Sequence, residues 1–265
     1  MTENCDHRVL GGFQCVDAIT KSSIVDPLKV SSSQLLLRAN RSGVYAVWDA
    51  PGLRKYMSFD PLLPWPSPTP FEIAIEDPTW FYLPRRGNIQ VPQPLPANRA
   101  APAPPFTVST DQPIVYGPQP VTLYRGPSAD IAPNWAVVRA SVTSNGNPPV
   151  RLPWAVLQVL SGAPPLSGAS PMATGVADWN GEALLAVPGL GLQVSSSSGG
   201  PVTETTTLAT VQVWFDPTIL SQPPGWVPNP DDILQNLSSS SWKTATAAIQ
   251  FGPGQTVFVP LTVPI

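Results

Sequence analysis

Two stretches of this chain repeat one local pattern. Asn40 to Leu53 reads Asn-Arg-Ser-Gly-Val-Tyr-Ala-Val-Trp-Asp-Ala-Pro-Gly-Leu, and Asp178 to Leu190 reads Asp-Trp-Asn-Gly-Glu-Ala-Leu-Leu-Ala-Val-Pro-Gly-Leu. In each, a polar turn containing glycine (Gly43, Gly181) feeds a short apolar strand. That strand stops at Pro-Gly-Leu, with Pro51 and Gly52 in the first copy and Pro188 and Gly189 in the second. A one-residue gap aligns the two. Ser42-Gly43 and Asn180-Gly181 supply the positive φ of a tight turn, and each strand ends where proline has no N–H to give a ladder. Two such hairpins predict two copies of one β-sandwich module.

Proline is the compositional outlier: 36 of 265 residues, against an average near 5%. With 42% hydrophobic residues and nine tryptophans, the chain still has what a packed core needs. Charged residues are only 12% and the net charge is −3, which disfavours a nucleic-acid surface. Few charges beside many Trp and Pro predict an apolar surface of the kind neighbouring subunits cover. The N-terminus lacks a basic start and an apolar run, and no stretch is long and apolar enough to span a membrane. The expectation is cytoplasmic synthesis without membrane insertion.

Turn signals divide the chain into short strands. Val9 to Val16, Leu28 to Val30, Leu35 to Leu37 and Tyr56 to Phe59 read as strands around the first hairpin. Phe71 to Glu76 alternates apolar and polar as a half-buried strand does. Pro61 to Pro70, Val91 to Pro96 and Ala100 to Pro105 read as extended proline-rich segments. Trp80 to Leu83 reads as extended chain. Further strands are expected at Val121 to Tyr124, Trp135 to Val142, Trp154 to Leu160 and Met172 to Ala177. Leu190 to Pro201, rich in Gly and Ser, reads as a mobile loop. Thr205 to Phe215 is expected to pair with Ala245 to Phe251 and Thr256 to Val263, the last two closing as a hairpin around Gly252-Pro253-Gly254. Pro260 places the final strand at an edge or a bulge. One short helix is expected near 230–237, with Asn229 as cap, Pro230 first and acids in its first turn. The class is all-β: two tandem Ig-like β-sandwiches joined by proline-rich extended segments. The first core covers 1–60, to which 71–84 can add; 85–120 is a connector and 121–265 the second sandwich.

Chemistry-bearing motifs are scarce. The one histidine, His7, has no Gly-x-Ser-x-Gly elbow to serve, and no phosphate-binding glycine loop exists. Cys5, His7 and Cys15 lack a fourth zinc ligand, and Cys5 and Cys15 read as thiols rather than as a disulfide. Asp178, Asn180 and Glu182 lack calcium-loop spacing, and Glu72, Glu76 and Asp77 read as a solvated strand face rather than as a carboxylate pair. No catalytic residue, cofactor or metal ligand is expected. The candidate interaction surface is Trp65, Trp80, Pro92, Pro94, Pro104 and Trp226. Exposed Trp can also stack on sugar rings, which keeps a carbohydrate-binding or adhesive module as the alternative.

Val16-Asp17-Ala18-Ile19-Thr20, Asn40 to Tyr45 and Pro51-Gly52-Leu53 together resemble a carboxypeptidase-regulatory-like, transthyretin-like β-sandwich. So does Trp135 to Leu190, with Gly175 to Gly181 at the equivalent hairpin. Between them stand Phe71 to Pro78 and Phe81-Tyr82-Leu83-Pro84. The arrangement, over roughly Arg8 to Leu190, is similar to two-sandwich proteins encoded with phage-tail-like contractile injection systems. Lys21-Ser22-Ser23 replaces the usual Thr-Gly turn of the first copy, and the second has long Pro- and Ser-rich loops. The resemblance implies a non-catalytic structural subunit at the baseplate or its periphery. Its partners would be other subunits of the particle or copies of itself.

Overall fold

The computed structural model describes residues 9–56, 66–93, 117–162, 170–190 and 206–265. Alternation of apolar and polar residues makes it an all-β protein of mixed sheets. In chain order the strands are β1 (Gly12–Asp17), β2 (Lys29–Ser31), β3 (Leu36–Ala39), β4 (Val44–Asp49), β5 (Thr69–Glu76), β6 (Arg85–Val91) and β7 (Gln119–Leu123). Then follow β8 (Ala136–Ser144), β9 (Val156–Ser161), β10 (Pro171–Val176), β11 (Glu182–Val187), β12 (Thr207–Phe215), β13 (Lys243–Phe251) and β14 (Thr256–Val263). The α-helix among the described residues is α1, Asp231–Leu234. Arg54–Tyr56 and Pro217–Ser221 are 3-10 turns.

The chain divides into two compact units. The first takes Met1–Val16, Ser22–Glu76 and Arg86–Thr122; the second takes Asp17–Lys21, Asp77–Arg85 and Leu123–Ile265. Apart from terminal residues, β1 to β7 belong to the first, in sheets of order β3-β4-β1-β7 and β2-β5-β6. Phe13 and Tyr45 face each other in register across β1 and β4 and stack with centroids 5.2 Å apart. Phe71, Ile73 and Ile75 fill the buried face of β5, as their alternation requires.

The second unit holds sheets of order β10-β9-β12-β13 and β11-β8-β14. Both sheets feed one hydrophobic cluster: Leu157, Val211, Val213 and Phe251 from the first, Val138, Leu185 and Leu261 from the second. That is the sandwich principle, each sheet hiding its apolar face against the other.

Several sequence expectations need correction. Arg85–Val91, taken as connector, is a strand whose Gly87, Ile89 and Val91 are buried; the arginines and prolines around it mask a regular alternation. After Pro51-Gly52-Leu53 the chain enters the Arg54–Tyr56 turn rather than a strand; 57–59 lie outside the described residues. Trp80 to Leu83 is not extended: Trp80 has φ +61, and only Tyr82 bridges, to Arg125. The last two strands do not close as a hairpin. β13 pairs β12 antiparallel, whereas β14 crosses to the other sheet and runs parallel to β8. The second neighbour of β12 is β9. Crossing lets Ile249 and Phe251 enter the shared core from one sheet and Val259, Leu261 and Val263 from the other. Residues 61–65, 94–116 and 191–205, which carry most of the proline-rich and Gly/Ser-rich expectations, lie outside the described residues, whereas Thr69 and Pro70 at the end of the first expected connector already belong to β5.

Candidate functional site: an exposed tryptophan pair

The Asp178 turn is built by its own carboxylate. Asp178 Oδ1 accepts the N–H groups of Asn180 (2.7 Å) and Glu182 (3.0 Å). Asn40 Oδ1 does the same for Ser42 and Val44, both at 2.9 Å. The backbone matches too, with Asp178 N donating to the Glu182 carbonyl and Asn40 N to the Val44 carbonyl. Gly43 and Gly181 each adopt φ +74. A Cβ on Gly43 would collide with the Ile24 carbonyl oxygen, and one on Gly181 would stand 2.7 Å from that of Val142. Pro51, Gly52, Pro188 and Gly189 lie exposed at the strand ends, and the two glycines have φ +74 and +72.

The residue after the capping side chain points outward by this geometry. In the first copy it is Arg41. In the second it is Trp179, 51% exposed. Its ring meets that of Trp80, 55% exposed, edge to face, with centroids 5.0 Å apart and planes at 75°. Both belong to the second unit.

Trp80 reaches this place through an unusual backbone. Asp77 organises the loop: Oδ1 accepts Thr79 N (2.8 Å) and Thr79 Oγ1 (2.7 Å), and Oδ2 accepts Tyr82 N (2.9 Å). Burial pushes the Asp77 carboxyl up, but the donors from Tyr82, Thr79 and Phe81 prevail and hold it below its ordinary value. Trp80 then takes φ +61, a region that costs a bulky residue about 1–3 kcal/mol. Its carbonyl packs on Gly126, where a Cβ would sit 3.0 Å away, and Gly126 N donates to the Phe81 carbonyl at 2.8 Å.

The support beneath is polar and buried. Asp17, 1% exposed, accepts Ile19 N and Thr20 N on Oδ1, both at 2.8 Å. Its Oδ2 accepts the Tyr82 hydroxyl at 2.9 Å and Arg125 Nε at 2.8 Å. Burial raises the Asp17 carboxyl, yet donors from Thr20, Arg125, Tyr82 and Ile19 together bring it below its ordinary value. The Arg125 guanidinium lies 4.9 Å over the Phe81 ring and 5.4 Å from the Trp135 ring centroid. Each partner in this network is satisfied, so the loop bearing Trp80 is pinned on both sides. At the far end of the loop, Arg85 pairs with Asp231 Oδ2 (2.6 Å) and Asn229 Oδ1 (2.9 Å), as a buried arginine must. Burial pushes the nearby Tyr124 hydroxyl up to about 12.

The other expected surface residues do not join the pair. Pro92 is buried beyond β6, where Gln93 N donates to the Leu10 carbonyl at 2.9 Å. Trp226 is half-buried against the core of the second unit. Trp65, Pro94 and Pro104 lie outside the described residues. Trp179 was missing from the expected surface because its turn explained it. The available signal was a large apolar side chain at the outward position of an Asp-x-Asn-Gly turn.

Among the described residues, no group of three or more His, Cys, Asp or Glu could hold a metal ion, and His7 and Cys5 fall outside the description. Cys15 is buried. A cavity of about 500 Å³ in the first unit is lined by Leu35, Leu36, Asp49, Pro51 and Arg54. Its cation is engaged by Asp49, with Arg54 donating at 2.7 Å. No described helix is long and apolar enough to cross a membrane.

No family model matches the chain, and no curated protein does. Among solved structures it is similar to (S)-allantoin synthase, with 15% identity over 51% of this chain and 43% of that one, at a TM-score of 0.25. It is similar also to the Bacillus anthracis TIE protein, with 11% identity over 96% of this chain and 34% of that one, at a TM-score of 0.26. The chain spans less than half the length of either, and neither likeness carries an argument about fold or activity.

Proposed function

We propose that this chain is a non-catalytic structural subunit that acts through protein–protein contacts, with Trp80 and Trp179 at the centre of one contact. The observation that carries this reading is the pair itself: two half-exposed indoles in edge-to-face contact, one held on a left-handed backbone. Tryptophan is the residue most often found at the energetic centre of an interface. A strained backbone presenting an apolar ring outward is hard to explain by stability alone.

The finer fold reading, two tandem transthyretin-like sandwiches, is supported by the strand order. Strands β4-β1-β7 of the first unit correspond to β11-β8-β14 of the second, and β2-β5-β6 to β9-β12-β13. Each strand thus matches the one seven places later. The exception is the third strand: β3 joins β4 in the first unit, whereas β10 joins β9 in the second. The narrower assignment, to the baseplate or periphery of a phage-tail-like contractile injection system, rests on the motif resemblance described above.

The test is co-purification with sheath, tube and baseplate components from cells that make the chain. Retention by the wild type and loss by Trp80→Ala with Trp179→Ala support the reading; a freely monomeric chain with no affinity for such components contradicts it. A second reading, a carbohydrate-binding or adhesive module, draws on the same pair, since exposed indoles stack on sugar faces. Saturable quenching of Trp fluorescence by a glycan, abolished by Trp179→Ala, would favour it.

A further inference from the structure

The outer edges of the two sheets in the second unit are not alike. In the β11-β8-β14 sheet, Val137 N donates to the Gln255 carbonyl and Asn145 N to that of Val263. Odd-numbered residues of β14 therefore direct their main-chain groups to β8, and Thr256, Phe258, Pro260 and Thr262 direct theirs to the free edge. Pro260 interrupts that row of donors, which blunts the edge against strand addition. β10 is broken otherwise, by Pro171 and a register shift between Pro171 and Ala173.

β13 has neither device. It runs nine residues, Lys-Thr-Ala-Thr-Ala-Ala-Ile-Gln-Phe, with an unbroken register against β12 from Thr207↔Phe251 to Phe215↔Lys243. The direction of its free groups follows from one bond. Gly162 N donates to the Leu208 carbonyl, so even-numbered residues of β12 face β9 and odd-numbered ones face β13. Their odd-numbered partners on β13 face back. Thr244, Thr246, Ala248 and Gln250 then turn N–H and C=O outward with no partner among the described residues.

We propose that β13 is a self-association edge, pairing antiparallel with β13 of a second copy of this chain across a two-fold axis at Ala247. In that register Thr244 lies opposite Gln250 and Thr246 opposite Ala248. All four outward residues thereby become hydrogen-bonded pairs, the parity an antiparallel ladder requires. Ala247 meets its own copy at the dyad in a non-hydrogen-bonded pair, where strands approach most closely and small side chains fit. Charge selects the antiparallel arrangement. Lys243 is the one charged residue of the strand; the antiparallel pairing puts the two copies of it at opposite ends, and a parallel one would set them side by side. A chain that is only 12% charged, with a net charge of −3, adds little long-range repulsion. The contact uses elements other than the tryptophan pair, so its failure leaves the reading of that pair standing.

Sedimentation equilibrium of the full chain with three variants tests this. The wild type is expected to dimerise within the range up to roughly 100 μM. Thr246→Pro removes an outward N–H without touching the β12 ladder and should weaken the dimer at least about tenfold. Thr246→Lys with Ala248→Lys sets like charges opposite each other across the dyad and should give monomer; Thr246→Lys with Ala248→Glu sets opposite charges there and should restore the dimer. The charge variants keep the test decisive even if the proline variant folds poorly. A wild type that stays monomeric across this range overturns the proposal. So does a dimer indifferent to the Lys/Lys and Lys/Glu exchange.

Discussion

Trp80 holds a backbone conformation that a bulky residue adopts at a cost of about 1–3 kcal/mol, which the covered part of its ring, against Trp179, offsets in part. Replacing it with glycine removes the φ penalty together with the exposed ring. Trp80→Gly is therefore expected to leave the thermal midpoint level or raised while partner binding is lost. A fall in stability beyond about 2 kcal/mol would instead make the indole a packing residue. The turn glycines divide in the same manner. Gly181→Ala meets main-chain oxygen and nitrogen at 2.7 and 3.2 Å as well as positive φ, and should cost upward of about 2 kcal/mol in a denaturant melt. Gly189→Ala, with no atom within 4 Å of its Cβ, should cost about 1 kcal/mol from φ alone.

Titration at single residues carries a sign. Asp17 and Asp77 have folded pKa values below the ordinary 3.8. The stability they contribute is present above that value and is lost as pH falls through the lower folded values. Asp232 is raised, chiefly by burial, and opposes this trend weakly from a more open position. Stability should hold from neutral pH down to about 5 and decline below 4, with Asp17→Asn flattening the acid slope in a pH series of urea melts. At the alkaline end, Tyr124 at about 12 resists ionisation in the fold. The linked stability is intact below about 10 and falls, by roughly 2–3 kcal/mol, as pH climbs toward 12.

At the scale of elements, Pro260 blunts the outer edge of β14 against strand addition. β14 carries Phe258, 75% exposed, on an edge whose third outward donor is missing. Pro260→Thr restores that donor at no cost to the β8 ladder. The expected result is unchanged folding stability with new concentration-dependent self-association, seen by light scattering; an unchanged monomer–dimer profile would show that proline is not what guards the edge. Strand identity was largely legible because side-chain period and turn chemistry are local properties. β5 could be read from Phe71, Ile73 and Ile75, and the turns from Ser42-Gly43 and Asn180-Gly181. Sheet membership was not legible. Nothing local to Thr256–Val263 distinguishes a hairpin partner of β13 from a parallel neighbour of β8, since that choice is settled by a shared core over a hundred residues away in sequence. β6 was obscured by its arginines and by the prolines that follow it. The candidate site was half legible: Trp80 reads as a surface aromatic, whereas Trp179 is absorbed into the turn that displays it.

At the scale of the whole molecule, six of the seven described strands in each unit share one order, with β3 and β10 placed differently. What the two units share, the side-chain-capped turn and the Pro-Gly-Leu stop, builds the sheets. What they do not share, Trp179 against Arg41 at the outward turn position, is what the proposed contact would use. The most direct test of that division is incorporation of the chain into particles purified from the cells that make it, quantified for wild type, for Trp80→Ala with Trp179→Ala, and for Trp226→Ala, each first verified as folded. The paired substitution is expected to lose incorporation by roughly thirtyfold, the equivalent of about 2 kcal/mol at an interface centre, and Trp226→Ala to be incorporated as wild type. Incorporation of the paired variant at the wild-type level would contradict that expectation.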